Sequence, residues 1–318
     1  MLSNLSIWKH LRSKGKPFTI HNNRYKWNAR FLTLCSTLFF YRDNNQKEVL
    51  CSINLLNSCN SNLYEPFWNI CSYINTYNNV RKSGTYLKKS RRGIAMYLFG
   101  STIGATRFPL YYKDNSYHNL PRPYCDFKPG LKARQYTDSK WFTTFVQDIE
   151  KCVIYFLREM YPDKKKAKLT LFKIAQAKKM IPHNCRISGT FFNHMTFLGN
   201  LNRDCTSMID VHKDDEDIIT ALFHLGKPKS GGNTNFYSGD SKEDPGKLIY
   251  TTEFQHGRLQ IGFFDNVLHS ASGWEGYRGG INLNLKKNVL KFFNDPTLSK
   301  FYNKYESDGF PSSNYIAI

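Results

Sequence analysis

The alternation of apolar and polar residues is cleanest near the end of the chain, where Gly280-Ile281-Asn282-Leu283-Asn284-Leu285 repeats with period two. Successive side chains on a strand point to opposite faces, so this pattern predicts a half-buried strand beginning near Arg278. Upstream, strand-sized runs at Ile218-Ile219-Thr220-Ala221-Leu222-Phe223-His224-Leu225, Leu248-Ile249-Tyr250 and Leu259-Gln260-Ile261-Gly262-Phe263-Phe264 are separated by turn residues such as Lys229-Ser230-Gly231-Gly232-Asn233. A further strand is expected within Phe191 to Asn200. Ahead of these runs the period changes. Trp141, Phe145, Ile149, Cys152 or Val153, and Phe156 recur at helical spacing behind Asp138-Ser139-Lys140, and the helix should end before Pro162. A second helix is expected from about Lys166 to Met180, stopping at Pro182. Helices followed by many strands give an α+β chain. Residues 1–130 show no repeat or recognisable module, and Asn57 to Asn62 read as loop.

Composition narrows the class. A chain of 318 residues with 41% hydrophobic content can bury one large core or two smaller ones. Its best apolar stretch, Phe31 to Tyr41, is short and threaded with polar residues, so no membrane span is expected. Trp8-Lys9-His10-Leu11-Arg12 interrupts any signal-peptide core, which gives an intracellular expectation, cytoplasm or nucleus. The eight cysteines include no Cys-x-x-Cys pair, so they read as small reduced apolar residues rather than a zinc or dithiol site.

The charge is uneven. Residues 1–180 hold 31 Lys and Arg against 10 Asp and Glu, whereas residues 181–318 hold 14 against 15. The excess gathers in Lys9 to Lys16, Lys88-Lys89-Ser90-Arg91-Arg92 and Lys164-Lys165-Lys166-Ala167-Lys168, with Trp8, Tyr25, Trp27, Tyr111 and Tyr112 interspersed. Two readings stand here: a surface that tracks a phosphate backbone and stacks bases, and a solvated basic face that attracts any polyanion.

The candidate chemistry lies in the neutral half. His212-Lys213-Asp214 places an imidazole and a carboxylate at i and i+2, on one side of an extended segment, with Lys213 turned away. His269 follows 57 residues later and Arg278 nine residues after that. Two imidazoles and one carboxylate can bind one face of an octahedral Fe(II), leaving positions open. Taken alone, His-x-Asp also fits a solvated acidic turn with Asp210, Asp215, Glu216 and Asp217, His269 fits a core histidine, and Arg278 fits a surface cation.

Taken together and in order, His212, Asp214, Gly231-Gly232-Asn233-Thr234-Asn235-Phe236, His269 and Arg278 resemble the double-stranded β-helix core of the Fe(II)/2-oxoglutarate-dependent dioxygenases over about residues 186–290. The Gly-Gly-x-Thr-x-Phe stretch is similar to that of the prolyl-hydroxylase-like branch. The resemblance implies a jelly-roll core buttressed by helices. It makes His212, Asp214 and His269 the Fe(II) ligands and Arg278 the partner of the far carboxylate of 2-oxoglutarate, with O2 as cosubstrate. One departure is Gly280, where many members carry Ser or Thr to share that carboxylate; Tyr250 or Thr220 could supply the hydroxyl instead.

The implied activity is hydroxylation of a macromolecular substrate, a protein side chain or a nucleic-acid base, with release of succinate and CO2. The alternatives are a catalytically silent nucleic-acid-binding protein that keeps the barrel, and a cupin-like metal protein without a 2-oxoglutarate requirement. The expected organisation is a basic N-terminal region (1–135), supporting helices (136–182), the core (183–295) and a tail (296–318). Among other candidates, His194 reads as a structural histidine, His224 as core and His256 as part of a hairpin turn. Inward-facing Asn193, Asn282 and Asn284 would suit cosubstrate or substrate, and Trp274 and Tyr277 suit either substrate stacking or packing.

Overall fold

The computed structural model describes residues 18–27, 31–42, 47–54, 95–102, 122–125, 140–161, 163–200, 211–214, 217–239 and 241–300. The expected N-cap at Asp138-Ser139 and the tail beyond residue 300 lie outside them. The chain combines helices with antiparallel sheets, so the α+β expectation holds.

Helix α1 (Lys140–Tyr155) buries Phe142, Phe145, Val146, Ile149, Cys152 and Val153, one stripe at three- and four-residue spacing. Helix α2 (Lys164–Met180) begins at Asp163, whose side chain accepts from the backbone N–H groups of Lys165 and Lys166. It buries only the narrow row Ala167, Thr170, Ile174 and Ala177, which leaves most of its lysines exposed. Glu150 ties these layers together. Its buried carboxylate accepts from the Phe191 N–H at 2.8 Å and pairs with Lys178 of α2 at 3.1 Å.

The strands are β1 (Phe18–Trp27), β2 (Phe31–Arg42), β3 (Lys47–Asn54), β4 (Ala95–Thr102), β5 (Arg122–Cys125), β6 (His194–Asn200), β7 (Asp217–Gly231), β8 (Thr234–Tyr237), β9 (Leu248–Thr252), β10 (Arg258–Gly262), β11 (Leu268–Ala271) and β12 (Trp274–Lys286), after which helix α3 (Lys287–Asn294) closes the described core. They form a nine-stranded antiparallel sheet, ordered β1-β2-β3-β10-β7-β12-β6-β4-β5, and a three-stranded one, ordered β11-β8-β9. Strands from the first 135 residues thus extend the same sheet as β6, β7, β10 and β12: Ile53 pairs with Leu259, and Phe99 with Met195.

The two faces of β7 have different tasks. Ile219, Ala221, Phe223 and Leu225 are buried on the helix side, where Phe223 meets Phe145 of α1 edge-on with ring centroids 4.9 Å apart. Ile219, Phe223 and Leu225 each contribute on the order of 1.5–3 kcal/mol by burial, so this face carries much of the fold's stability. Thr220, Leu222 and His224 point the other way, and Leu222 packs against the cluster of Phe236, Phe264 and Val267 contributed by β8 and the loop after β10. Register carries this inner face onto β12, because Asn284, Asn282 and Gly280 are the partners of Thr220, Leu222 and His224. An apolar outer face and a largely polar inner face therefore share one strand pair.

Candidate metal centre

His212 reaches the site from an extended segment that forms an isolated bridge with His269 of β11, exchanging both backbone hydrogen bonds at 3.0 and 2.9 Å. Residues paired in this way project their side chains to the same side, and the two imidazole centroids lie 4.4 Å apart. Two residues on, the Asp214 N–H donates to the Phe264 carbonyl at 3.0 Å, which anchors the segment and presents the carboxylate to both rings. The Asp214 Oδ1 lies 3.9 Å from His212 Nε2 and 3.8 Å from His269 Nε2. Among the described residues these three form the group able to hold a metal ion, with ligand atoms all within 4.8 Å of one another.

The site chooses which atoms face inward. His269 Nδ1 lies 3.0 Å from the Val267 carbonyl; a carbonyl only accepts, so Nδ1 carries the proton and Nε2 presents a lone pair. Burial holds the His269 imidazole below its ordinary pKa against the opposing pull of Asp214, which favours the neutral, ligating form. The Asp214 Oδ2 accepts from Thr220 Oγ1 at 3.2 Å, so Oδ1 is the oxygen turned toward the histidines. Thr220 in turn accepts from Asn284 Nδ2 at 3.0 Å, and Asn284 also donates to Asp217, which pairs with Lys286 at 2.7 Å. Burial, only partly offset by Lys286, raises the Asp217 carboxyl to about 7. The His212 side chain is 38% exposed against 10% for His269, so the site opens on the His212 side.

Arg278 is buried on β12, on the inner face. Its Nε donates to the Gly232 carbonyl at 2.7 Å, and its guanidinium lies 5.4 Å from the Phe254 ring and 5.1 Å from the Trp274 ring. This explains the paired glycines. Gly231 has φ +71° and a Cβ there would fall 2.1 Å from the Gly273 carbonyl oxygen; Gly232 has φ +76° and its Cβ would fall 2.7 Å from Arg278 Cδ.

The structure sorts the remaining candidates. Thr220 is engaged with Asp214 and Asp217, and Tyr250 stacks on Phe236 at 6.4 Å. Asn193 accepts from the Lys286 N–H at 2.9 Å and holds the end of β12. Asn284 belongs to the Asp214 network. His194 is the β6 partner of Asn284, and Asn282 lies half-buried on the inner face with no partner for its Oδ1 among the described residues. His256 accepts from the Gly226 N–H at 2.9 Å and stabilises the approach to β10. Cys152 and Cys185 are buried and form no disulfide. The side chain of Tyr277 and most of the basic clusters before residue 140 lie outside the described residues. Thr220, expected as a hydroxyl for the cosubstrate carboxylate, instead bonds Asp214, and Asp217, expected in a solvated acidic turn, is buried and paired with Lys286.

No family model matches the sequence, and no curated protein does. Among solved structures the chain is similar to an oxidoreductase of the 2OG-Fe(II) oxygenase family from Burkholderia pseudomallei, with 13% identity and a TM-score of 0.23, over 29% of this chain and 43% of that one. It is also similar to a Pseudomonas putida prolyl-4-hydroxylase, with 13% identity and a TM-score of 0.25, over 41% of this chain and 67% of that one. The chain therefore spans less than half the length of the first. No helix among the described residues is long and apolar enough to cross a membrane, which says nothing of a β-barrel.

Proposed function

We propose that the chain is an Fe(II)- and 2-oxoglutarate-dependent dioxygenase that hydroxylates a macromolecular substrate, with the two sheets as halves of a double-stranded β-helix. The observation that carries this reading is the convergence of His212 Nε2, His269 Nε2 and Asp214 Oδ1, with the His269 tautomer held by Val267 and the Asp214 oxygens divided by Thr220. The donor set fits a ferrous ion with open positions. Arg278, fixed by Gly232 and walled by Phe254 and Trp274, fits the far carboxylate of the 2-oxo acid through its guanidinium fork. Bound together, Fe(II), O2 and 2-oxoglutarate supply the oxidation, with succinate and CO2 as coproducts. The chain's own residues hold those groups, exclude water behind the Phe236, Phe264 and Val267 cluster, and admit substrate beside the more exposed His212.

The positive charge before residue 180 supports a nucleic-acid or otherwise polyanionic partner. Anaerobic titration of the purified protein with Fe(II) and 2-oxoglutarate tests the reading through the visible charge-transfer band of the chelate, with Arg278→Ala as control. A band that weakens in the control supports it. Absence of a band in iron-loaded protein, together with polyanion binding that survives iron removal, would turn the assignment to a silent binding protein.

A further inference from the structure

The inner face holds more polar groups than the metal set uses, and His224 is the most demanding of them. It is 1% exposed, and neither Nδ1 nor Nε2 has a hydrogen-bond partner among the described residues. Buried polar groups are nearly always paired, so an imidazole with both nitrogens unpaired marks a place where something else belongs.

Its surroundings say what kind of group that is. The ring stacks on Phe254, with centroids 5.1 Å apart and planes 15° from parallel, and the Arg278 guanidinium lies over the same Phe254 ring. An imidazole and a guanidinium therefore share one aromatic wall. The charges acting on His224 come from Arg278 and Arg258, both positive, and together with burial they keep the ring neutral. Gln260 lies beside it without a hydrogen bond of good geometry, and its amide oxygen and nitrogen are also buried and unpaired. Thr234 Oγ1, on β8 just beyond the glycine that holds Arg278, is buried and unpaired as well. An N–H donor beside a guanidinium suits a carboxylate brought in from outside.

The ladder supplies the reason for the choice of residue. Gly280, where the resembled family often carries a hydroxyl, is the cross-strand partner of His224. A Cβ at Gly280 would fall 3.2 Å from Leu222 Cδ1 and 3.4 Å from the Phe223 carbonyl oxygen, so a side chain there would crowd β7. The neighbouring strand places His224 opposite Gly280 on the same face.

We propose that His224 donates an N–H to the far carboxylate of 2-oxoglutarate beside Arg278, in place of the hydroxyl that Gly280 cannot provide. The assignment rests on the dioxygenase reading. A neutral imidazole always carries one N–H, and with both nitrogens unpaired its tautomer can adapt to the ligand.

The test is equilibrium binding, without turnover. Iron-loaded wild type, His224→Leu, His224→Gln and Arg278→Leu are titrated anaerobically with 2-oxoglutarate and with 2-oxobutyrate, which chelates alike but has no far carboxylate. His224→Leu should weaken 2-oxoglutarate about tenfold or more, the cost of losing a hydrogen bond to a charged group, while 2-oxobutyrate binding stays within about twofold of wild type. Unchanged 2-oxobutyrate binding also reports that the variant folds and holds iron. His224→Gln, which keeps an N–H donor, should recover most of the loss. If His224→Leu binds 2-oxoglutarate like wild type while Arg278→Leu does not, the His224 assignment fails and the proposed function stands. If wild type forms no 2-oxoglutarate complex, both fail.

Discussion

Thr220 donates its hydroxyl to Asp214 Oδ2 at 3.2 Å and thereby leaves Oδ1 as the oxygen that faces His212 and His269. The gaps of 3.9 and 3.8 Å from Oδ1 to the two ring nitrogens are too long for hydrogen bonds. Ligands about 2 Å from one ion lie roughly 3 Å apart, so each imidazole would have to close on Oδ1 by about 1 Å to share an ion with it. Thr220→Val removes the hydroxyl at nearly constant volume and frees the carboxylate to rotate. Metal affinity should fall roughly 10- to 100-fold, as is usual for partners of metal ligands. Competition titration with a chromophoric chelator measures this, and wild-type affinity in the variant would remove Thr220 from the site.

Ligation by all three residues, as proposed, would link metal binding to stability. At a free concentration near 100 times Kd, an ion that binds only the folded state adds about 2.7 kcal/mol. For a chain of 318 residues that corresponds to a rise in Tm of about 4 °C. Anaerobic Fe(II) or Mn(II) should give such a shift in wild type, and Asp214→Ala, lacking the only anionic ligand, should lose it along with activity. An equal shift in the variant would point to a metal site elsewhere.

Much of the candidate site could be read along the chain, because the residues that converge in it fall on short extended segments where i and i+2 share a side. His212 and Asp214 are such a pair, and the alternation over Gly280 to Leu285 marks β12 with its partner strand β7. His224 shows where that reading stops. Inside the run Ile218 to Leu225 it looks like a core residue, and it is indeed buried. That its face is polar becomes visible only when β7 is laid against β12, with Asn282, Asn284 and Gly280 beside it. The same limit hides β3 and β4, whose partners β10 and β6 are far along the chain. Local periodicity specifies a strand's faces but not its neighbours.

On the proposed function, Gly232 would separate cosubstrate binding from metal binding. With φ at +76° and Arg278 Cδ 2.7 Å from a would-be Cβ, Gly232→Ala strains the backbone by about 1–2 kcal/mol and pushes the arginine from its seat. The variant should hold iron like wild type yet bind 2-oxoglutarate at least tenfold more weakly. Calorimetric titration with each ligand distinguishes the two effects, and equal loss of both would mean that the turn supports the whole site.

His256 should make stability fall in mild acid. Burial, with Lys227 acting in the same direction, lowers its pKa from 6.5 to about 4, and its Nδ1 accepts from the Gly226 N–H, which requires the unprotonated nitrogen. A folded pKa below the unfolded one means that the unfolded chain binds the extra proton. The stabilisation is therefore complete above pH 6.5 and is lost as pH falls from 6.5 toward 4. Allowing for the partial exposure of the ring, the loss is about 1–2 kcal/mol. His256→Asn keeps an acceptor for Gly226 without the titration, so its denaturant midpoint should decline less than that of wild type between pH 7 and 4.5. Parallel declines would show that the acid sensitivity of the fold arises at other groups.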